Sequence, residues 1–182
     1  MQFNTLLNYA KQRINGFYYQ RKFSSHGGGL CIVGKPIIHG EGKITVGKNF
    51  TVNNLLAPAE IFAGKDAEVT IGDNVFVNGG AIISASKRIS IGDSTLISNY
   101  ATIGDSDGHG IDGFPTKKLP VTIGRHVWIC FRASITKGVT VGDNVVVAAC
   151  SFVNKDVPPN TLVAGVPAKV IRSTSGYTLN TV

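Results

Sequence analysis

From residue 71 onward a branched aliphatic side chain returns at every sixth position. Ile71, Val77, Ile83 and Ile89 make one run, Ile91, Ile97 and Ile103 a second, and Ile123, Ile129, Ile135, Val141, Val147 and Val153 a third. Ile32, Ile38 and Ile44 show the same step earlier. Four residues after these positions the side chain is usually small or β-branched: Val75, Ala81, Thr95, Ala101, Val127, Ala133, Val139, Val145, Ser151 and Val157. Lys87, Asp93 and Asp107 depart from that rule, each near a slip in phase. Neither a 3.6-residue helical period nor plain strand alternation yields a period of six. A short strand and a tight corner, repeated, do. Three such units close a triangular coil of about 18 residues, and stacked coils pair backbone groups rung to rung around a buried aliphatic column. The pattern predicts an all-β solenoid, a parallel β-helix.

A second pattern rides on the first. Val69-Thr-Ile-Gly-Asp-Asn recurs as Ile89-Ser-Ile-Gly-Asp-Ser, Val121-Thr-Ile-Gly-Arg-His and Val139-Thr-Val-Gly-Asp-Asn, with a weaker copy from Ile44. From Ile123 to Val141 is 18 residues, one clean coil; Ile71 to Ile91 is 20, Val46 to Ile71 is 25, and Ile91 to Ile123 is 32. The last interval predicts an excursion over residues 105–120, and a break in a regular solenoid is where function concentrates. Before the repeats, Phe3, Leu7, Ala10, Ile14 and Phe17 form one apolar stripe on a short amphipathic α-helix, ended by Gly16 and the Gly27–Gly29 hinge. The expected layout is therefore 1–27 helix and hinge, 28–172 β-helix, and 173–182 a loosely held tail.

Composition agrees with this. Val and Ile number 19 and 18 against 9 Leu, Gly is 22 of 182, and charged residues are only 16%, which excludes a helical bundle, a coiled coil and a disordered chain. Corners rich in Gly, Asp and Asn account for the glycine. The net charge of +7 lies mainly at the two ends; a nucleic-acid reader more often carries one continuous basic face with interleaved aromatics. The N-terminal excess fits either a cap on the first rung or a neighbouring subunit, or a basic helix touching anionic lipid at the inner face of a membrane. Cys31, Cys130 and Cys150 form no C-x-x-C pair, and neither a signal peptide nor an apolar run of membrane-spanning length is present. A cytoplasmic location is the expectation, with Cys130 and Cys150 as small packing residues.

The six-residue repeat, the His-bearing loop Asp105-Ser-Asp-Gly-His109-Gly, and the stretch Ile123-Gly-Arg-His-Val-Trp-Ile…Lys137-Gly-Val-Thr-Val-Gly-Asp-Asn…Asn154-Lys-Asp-Val-Pro…Ala164-Gly-Val-Pro-Ala-Lys-Val-Ile-Arg172 resemble the hexapeptide-repeat acyltransferases. The nearest likeness is to galactoside, maltose and cell-surface polysaccharide O-acetyltransferases, over residues 30–172. The resemblance implies a left-handed coil, a homotrimer, and acetyl-coenzyme A in the cleft between neighbouring prisms, without a metal. The implied reaction moves the acetyl group to a hydroxyl of a sugar or polysaccharide precursor.

A sugar hydroxyl attacks a thioester only if a base removes its proton, and histidine has a suitable pKa. His109, between Gly108 and Gly110, matches the family's catalytic histidine, and Asp105 or Asp107 is available to orient its ring. His126 sits at a corner position and reads as structural. By resemblance Asn78, Asp107 and Trp128 are the acceptor-site candidates, although Asn78 equally suits a turn and Trp128 a packing role. Coenzyme A carries phosphates that need cations, and Lys155, Lys169 and Arg172 match the positions that hold it, with Asn154 and Ala149 along the pantetheine arm. Trp128-Ile-Cys130, Ala148-Ala-Cys150-Ser and Asn154-Lys-Asp depart from the usual family wording. Two other readings remain open: N-acetylation of a nucleotide-linked amino sugar, and a scaffold without chemistry. Zinc chemistry of the carbonic anhydrase type would need an H-x4-H pair, and the chain has none.

Overall fold

The structure is a computed structural model, and it describes residues 15–110 and 114–175. Most of the predicted N-terminal stripe lies outside these residues. Helical turns at 15–19 lead into the short 3-10 helix Gln20–Lys22.

The chain then winds into a prism with three faces, each visited once per coil. The first face holds Ser25–His26, Lys43–Val46, Glu68–Ile71, Arg88–Ile91, Val121–Ile123 and Thr140–Val141. The second holds Cys31–Val33, Thr51–Asn53, Phe76–Asn78, Leu96–Ile97, Trp128–Ile129 and Val146–Val147, and continues into Thr161–Gly165 and Ala168–Ser173. The third holds Ile37–His39, Glu60–Ala63, Ile82–Ala85, Thr102–Gly104, Ser134–Ile135 and Phe152–Val153. All neighbours are parallel except the last pair, an antiparallel hairpin. The architecture is a left-handed parallel β-helix, as expected.

Register reproduces the intervals seen in the sequence. Val46 pairs with Ile71, Ile71 with Ile91, Ile91 with Ile123 and Ile123 with Val141. All thirteen of the six-step Ile and Val positions from 71 to 153 are buried, as are the ten small or β-branched partners four residues on. Lys87, Asp93 and Asp107, the three departures, are exposed. The aliphatic column is continuous because every third-of-a-coil step returns one inward side chain to the same axis.

The Ile-Gly-Asp-Asn phrase has a distinct job at each letter. The Ile points into the column. The Gly is approached so closely by the next coil that a Cβ at Gly47, Gly72 or Gly124 would strike Asp73, Asp93 or Asp143 respectively. Those aspartates accept hydrogen bonds from the coil before: Lys48 N to Asp73 (2.7 Å), Asp73 N to Asp93 (2.8 Å) and Arg125 N to Asp143 (2.8 Å). Next comes the residue that turns the corner with positive φ. Asn49, Asn74, Ser94, His126, Asn144 and Asn160, rather than glycines, hold that left-handed position. The role of glycine in the phrase is the absence of a side chain, not its conformational freedom. His126 is such a corner residue, with φ 54.

Two expectations change. Cys150 is exposed at a positive-φ corner and does not pack in the core. The segment after Arg172 is anchored as far as it is described, since Thr174 is buried, its N–H donates to Asn160 O (2.8 Å) and its hydroxyl to Asn144 O (2.7 Å).

Candidate active site

One corner of the prism is replaced by a loop. The chain leaves the third face after Thr102–Gly104 and re-enters the first face at Val121–Ile123, so residues 105–120 are the predicted excursion. Its root is fastened on both sides. Asp105 is fully buried, and its carboxylate accepts three backbone N–H bonds, from Ser86 (2.6 Å), Lys87 (2.7 Å) and Arg88 (2.6 Å) on the preceding coil. Asp107 forms an ion pair with Lys137 on the following coil. The Lys137 ammonium holds the exposed Asp107 carboxyl below the usual carboxylate range, mainly through their hydrogen bond. Within the loop, Ser106 and Lys118 bridge as antiparallel strands, Leu119 N donates to Asp105 O (2.9 Å), and Gly138 N donates to Leu119 O (3.0 Å).

His109 sits beyond this brace, exposed, next to Gly108 at φ 76. Among the described residues its ring has no hydrogen-bond partner. Both aspartates considered as orienters therefore have other work: Asp105 ties the loop to the turn at 86–88, and Asp107 ties it to Lys137.

The other sequence candidates fall into two groups. Asn154 and Lys155, both exposed, follow the last third-face strand. Ile135 pairs with Val153, so they stand one coil beyond Thr136 and Lys137, on the same edge as the His109 loop. Trp128 lies instead on the second face, where its indole N–H donates to Ser98 Oγ (3.0 Å) and the residue is 39% exposed. The hairpin carries Lys169 and Arg172 onto that same face. Arg172 is paired with Leu162 and Lys169 with Ala164, with a bulge between. Leu162 and Ala164 are two apart and share a side of the strand, so the bulge turns Lys169 and Arg172, three apart, to one side. Trp128, Val146, Leu162 and Arg172 succeed one another across the face, a span of about 14 Å at normal strand spacing. Asn78 and the exposed Ala149 lie at the far end of this face, where the chain turns toward the third; the Asn78 amide donates to Ile97 O at 3.4 Å.

A single prism thus joins His109, Asp107, Asn154 and Lys155 along one edge, and Asn78, Trp128, Ala149, Lys169 and Arg172 on or beside another face. The third face separates them. Lys137 was not singled out by sequence reasoning. The signal was present in the phrasing: Lys137 and Lys155 stand two residues past Ile135 and Val153, one coil of 18 residues apart.

A triangular β-helix broken by one braced, histidine-bearing loop and closed by a basic hairpin defines a class, and comparison with known proteins agrees. The family model for bacterial transferase hexapeptide (six repeats) matches residues 120–155. A galactoside O-acetyltransferase of Escherichia coli is 37% identical over 70% of this chain, the match spanning 63% of that protein's length. A putative lipopolysaccharide biosynthesis O-acetyl transferase, WbbJ, of the same organism is 33% identical over 74% of each chain. A hexapeptide-repeat acetyltransferase of Vibrio cholerae, solved with acetyl coenzyme A, superimposes with a TM-score of 0.58 at 28% identity, covering 90% of this chain and 78% of that one. The chain belongs to the hexapeptide-repeat acyltransferase family.

Proposed function

We propose that this protein transfers an acetyl group from acetyl-coenzyme A to a hydroxyl of a sugar or cell-surface polysaccharide precursor, with His109 as general base. The observation that carries the proposal is the braced loop: a rigid prism is interrupted at one corner to hold one exposed histidine clear of its own fold. A structural histidine needs no such mounting, whereas a base benefits from a fixed position.

The chemistry balances simply. The sugar oxygen forms a bond to the thioester carbonyl carbon as its proton passes to His109. The C–S bond then breaks, and the thiolate of coenzyme A leaves and takes the proton back. Lys155 on the His109 edge, and Lys169 with Arg172 on the second face, supply cations for the phosphates of the donor. Asn78, Asp107 and Trp128 are assigned to the acceptor side, Asp107 also fixing the loop through Lys137.

The division of these residues between two edges supports a homotrimer, in which the His109 edge of one prism meets the second face of its neighbour. A C3 arrangement makes three equal clefts of this kind. We also assign the reaction to the cytoplasm, in keeping with three free cysteines. Contact with the inner membrane face is assigned to the N-terminal segment, where Phe17 and Tyr18 are exposed beside Arg21 and Lys22.

The test is His109→Ala, assayed by acetyl ester formation on a panel of saccharides with mass detection. Transfer is expected to fall by about 10²–10⁴-fold, with an unchanged sedimentation coefficient at the trimer value. Undiminished transfer would remove His109 from the reaction, and a monomeric coefficient would remove the shared cleft.

A further inference from the structure

Asp105 does more than hold a loop. Its three backbone bonds bring the turn at 86–88 against the root of the His109 excursion, and that turn carries Lys87 and Arg88 with both side chains exposed. Because the bonds use the N–H groups of Lys87 and Arg88, their charged ends are not consumed by the anchor. Neither cation has an ion-pair partner among the described residues. Lys117 and Lys118 stand exposed on the returning limb of the same loop.

The described acids of the loop, and of the same edge on the coils beyond it, are committed. Asp105 is enclosed by its three N–H donors. Asp107 is paired with Lys137. Asp156 accepts from Thr140 N at 2.7 Å. Glu68 is the register partner of Arg88 one coil earlier, without an ion pair between them. Glu41, Asp66 and Glu68 are exposed together with Lys43 and Lys65 on the two coils before, so the positive charge gathers at Lys87, Arg88, Lys117 and Lys118, at the loop itself and away from the cations assigned to the donor. Lys87 follows the third-face strand Ile82–Ala85 and Lys155 follows Phe152–Val153, three coil steps on, which is about 14 Å along the axis. The His109 loop springs from the first of the two coils between them, next to the coil of Lys87.

We propose that Lys87 and Arg88 form an acceptor subsite for negative charge, so that the preferred acceptor is an anionic saccharide bearing a phosphate or carboxylate. This rests on the acetyl-transfer reading above. Guanidinium and ammonium groups at the root of the loop that carries the base would hold the charged end of the sugar while one of its hydroxyls faces His109.

The test uses acetyl-coenzyme A with matched acceptors: the methyl glycosides, the 1-phosphates and the uronates of galactose, glucose and N-acetylglucosamine where each exists. The wild-type protein is expected to favour a charged acceptor in kcat/KM by about tenfold or more at low salt, with the preference shrinking as ionic strength rises. The 1-phosphate and uronate arms separate phosphate from carboxylate. In the K87A/R88A double variant the preference is expected to collapse, while the Kd for coenzyme A stays at the wild-type value. Circular dichroism checks the fold of the variant, which keeps the backbone donors to Asp105. Equal use of neutral and charged acceptors, a preference that survives K87A/R88A, or a weakened coenzyme A affinity in that variant overturns the proposal. Absence of acetyl transfer to every acceptor, with coenzyme A bound, overturns the acetyl-transfer reading itself, and this inference with it.

Discussion

Removal of the Asp105 carboxylate is the most informative perturbation of this fold. The side chain is fully buried and takes three N–H bonds of 2.6–2.7 Å from consecutive residues. Hydrogen bonds to a charged group contribute about 1.5–3 kcal/mol each, and such terms do not add in full. Asp105→Ala leaves three donors facing a cavity that water partly fills, so a loss of about 3–4 kcal/mol is expected. Asp105→Asn keeps one oxygen for two of the donors but turns an NH₂ toward the third, for a loss of about 2 kcal/mol. With an m-value near 2 kcal/mol/M in urea, the Ala variant's midpoint falls by about 1.5 M and the Asn variant's by about 1 M. The assay is urea unfolding followed by circular dichroism at one fixed protein concentration, since dissociation of an oligomer contributes to the midpoint. Limited proteolysis between residues 105 and 120 should quicken in parallel, because the loop loses its tie to the preceding coil. A midpoint within about 0.3 M of wild type for Asp105→Ala, with unchanged cleavage, would refute the assignment of Asp105 as the anchor.

Two more outcomes follow from the exposed groups. Burial pushes the Cys130 thiol up to about 11 and raises that of Cys31 as well, whereas Cys150 is exposed; iodoacetamide at pH 8 should label Cys150 first, with Cys130 gaining reactivity only as pH nears 11, and earlier labelling of Cys130 in mass mapping would contradict the packing described. The intact protein should sediment with vesicles of anionic phospholipid but not of neutral phosphatidylcholine, and release from the anionic vesicles at high salt would mark the contact as electrostatic; no binding to either rejects the membrane assignment.

Much of the fold was legible in the chain because a solenoid makes local and global order coincide. Ile71 and Ile91 lie 20 residues apart in sequence and pair directly in the sheet, so a spacing read along the chain is also a contact. The loop was legible for the same reason, as the one interval of 32 residues. The site was less so. Asp105 and Asp107 are two letters apart and chemically identical, yet one is buried under a turn and the other meets a lysine 30 residues on. Nothing in the local spelling separates them. Cys150 read as a small packing residue, and the left-handed corner that exposes it is set by the coil's geometry.

By itself the sequence determined the coil length, the inward column and the position of the break, because a six-residue period leaves only one set of side chains on the axis. The tertiary structure alone decided three things. It placed the triple N–H anchor at Asp105, since those donors belong to the coil before. It turned Lys169 and Arg172 to one side, since the bulge opposite Leu162 and Val163 shifts the alternation by one. It set Asn78 and His109 on opposite ends of the third face, which follows from the order in which the corners close. Each of these depends on which backbone groups meet across coils, and a periodic pattern states that coils stack without stating what the irregular residues find when they do.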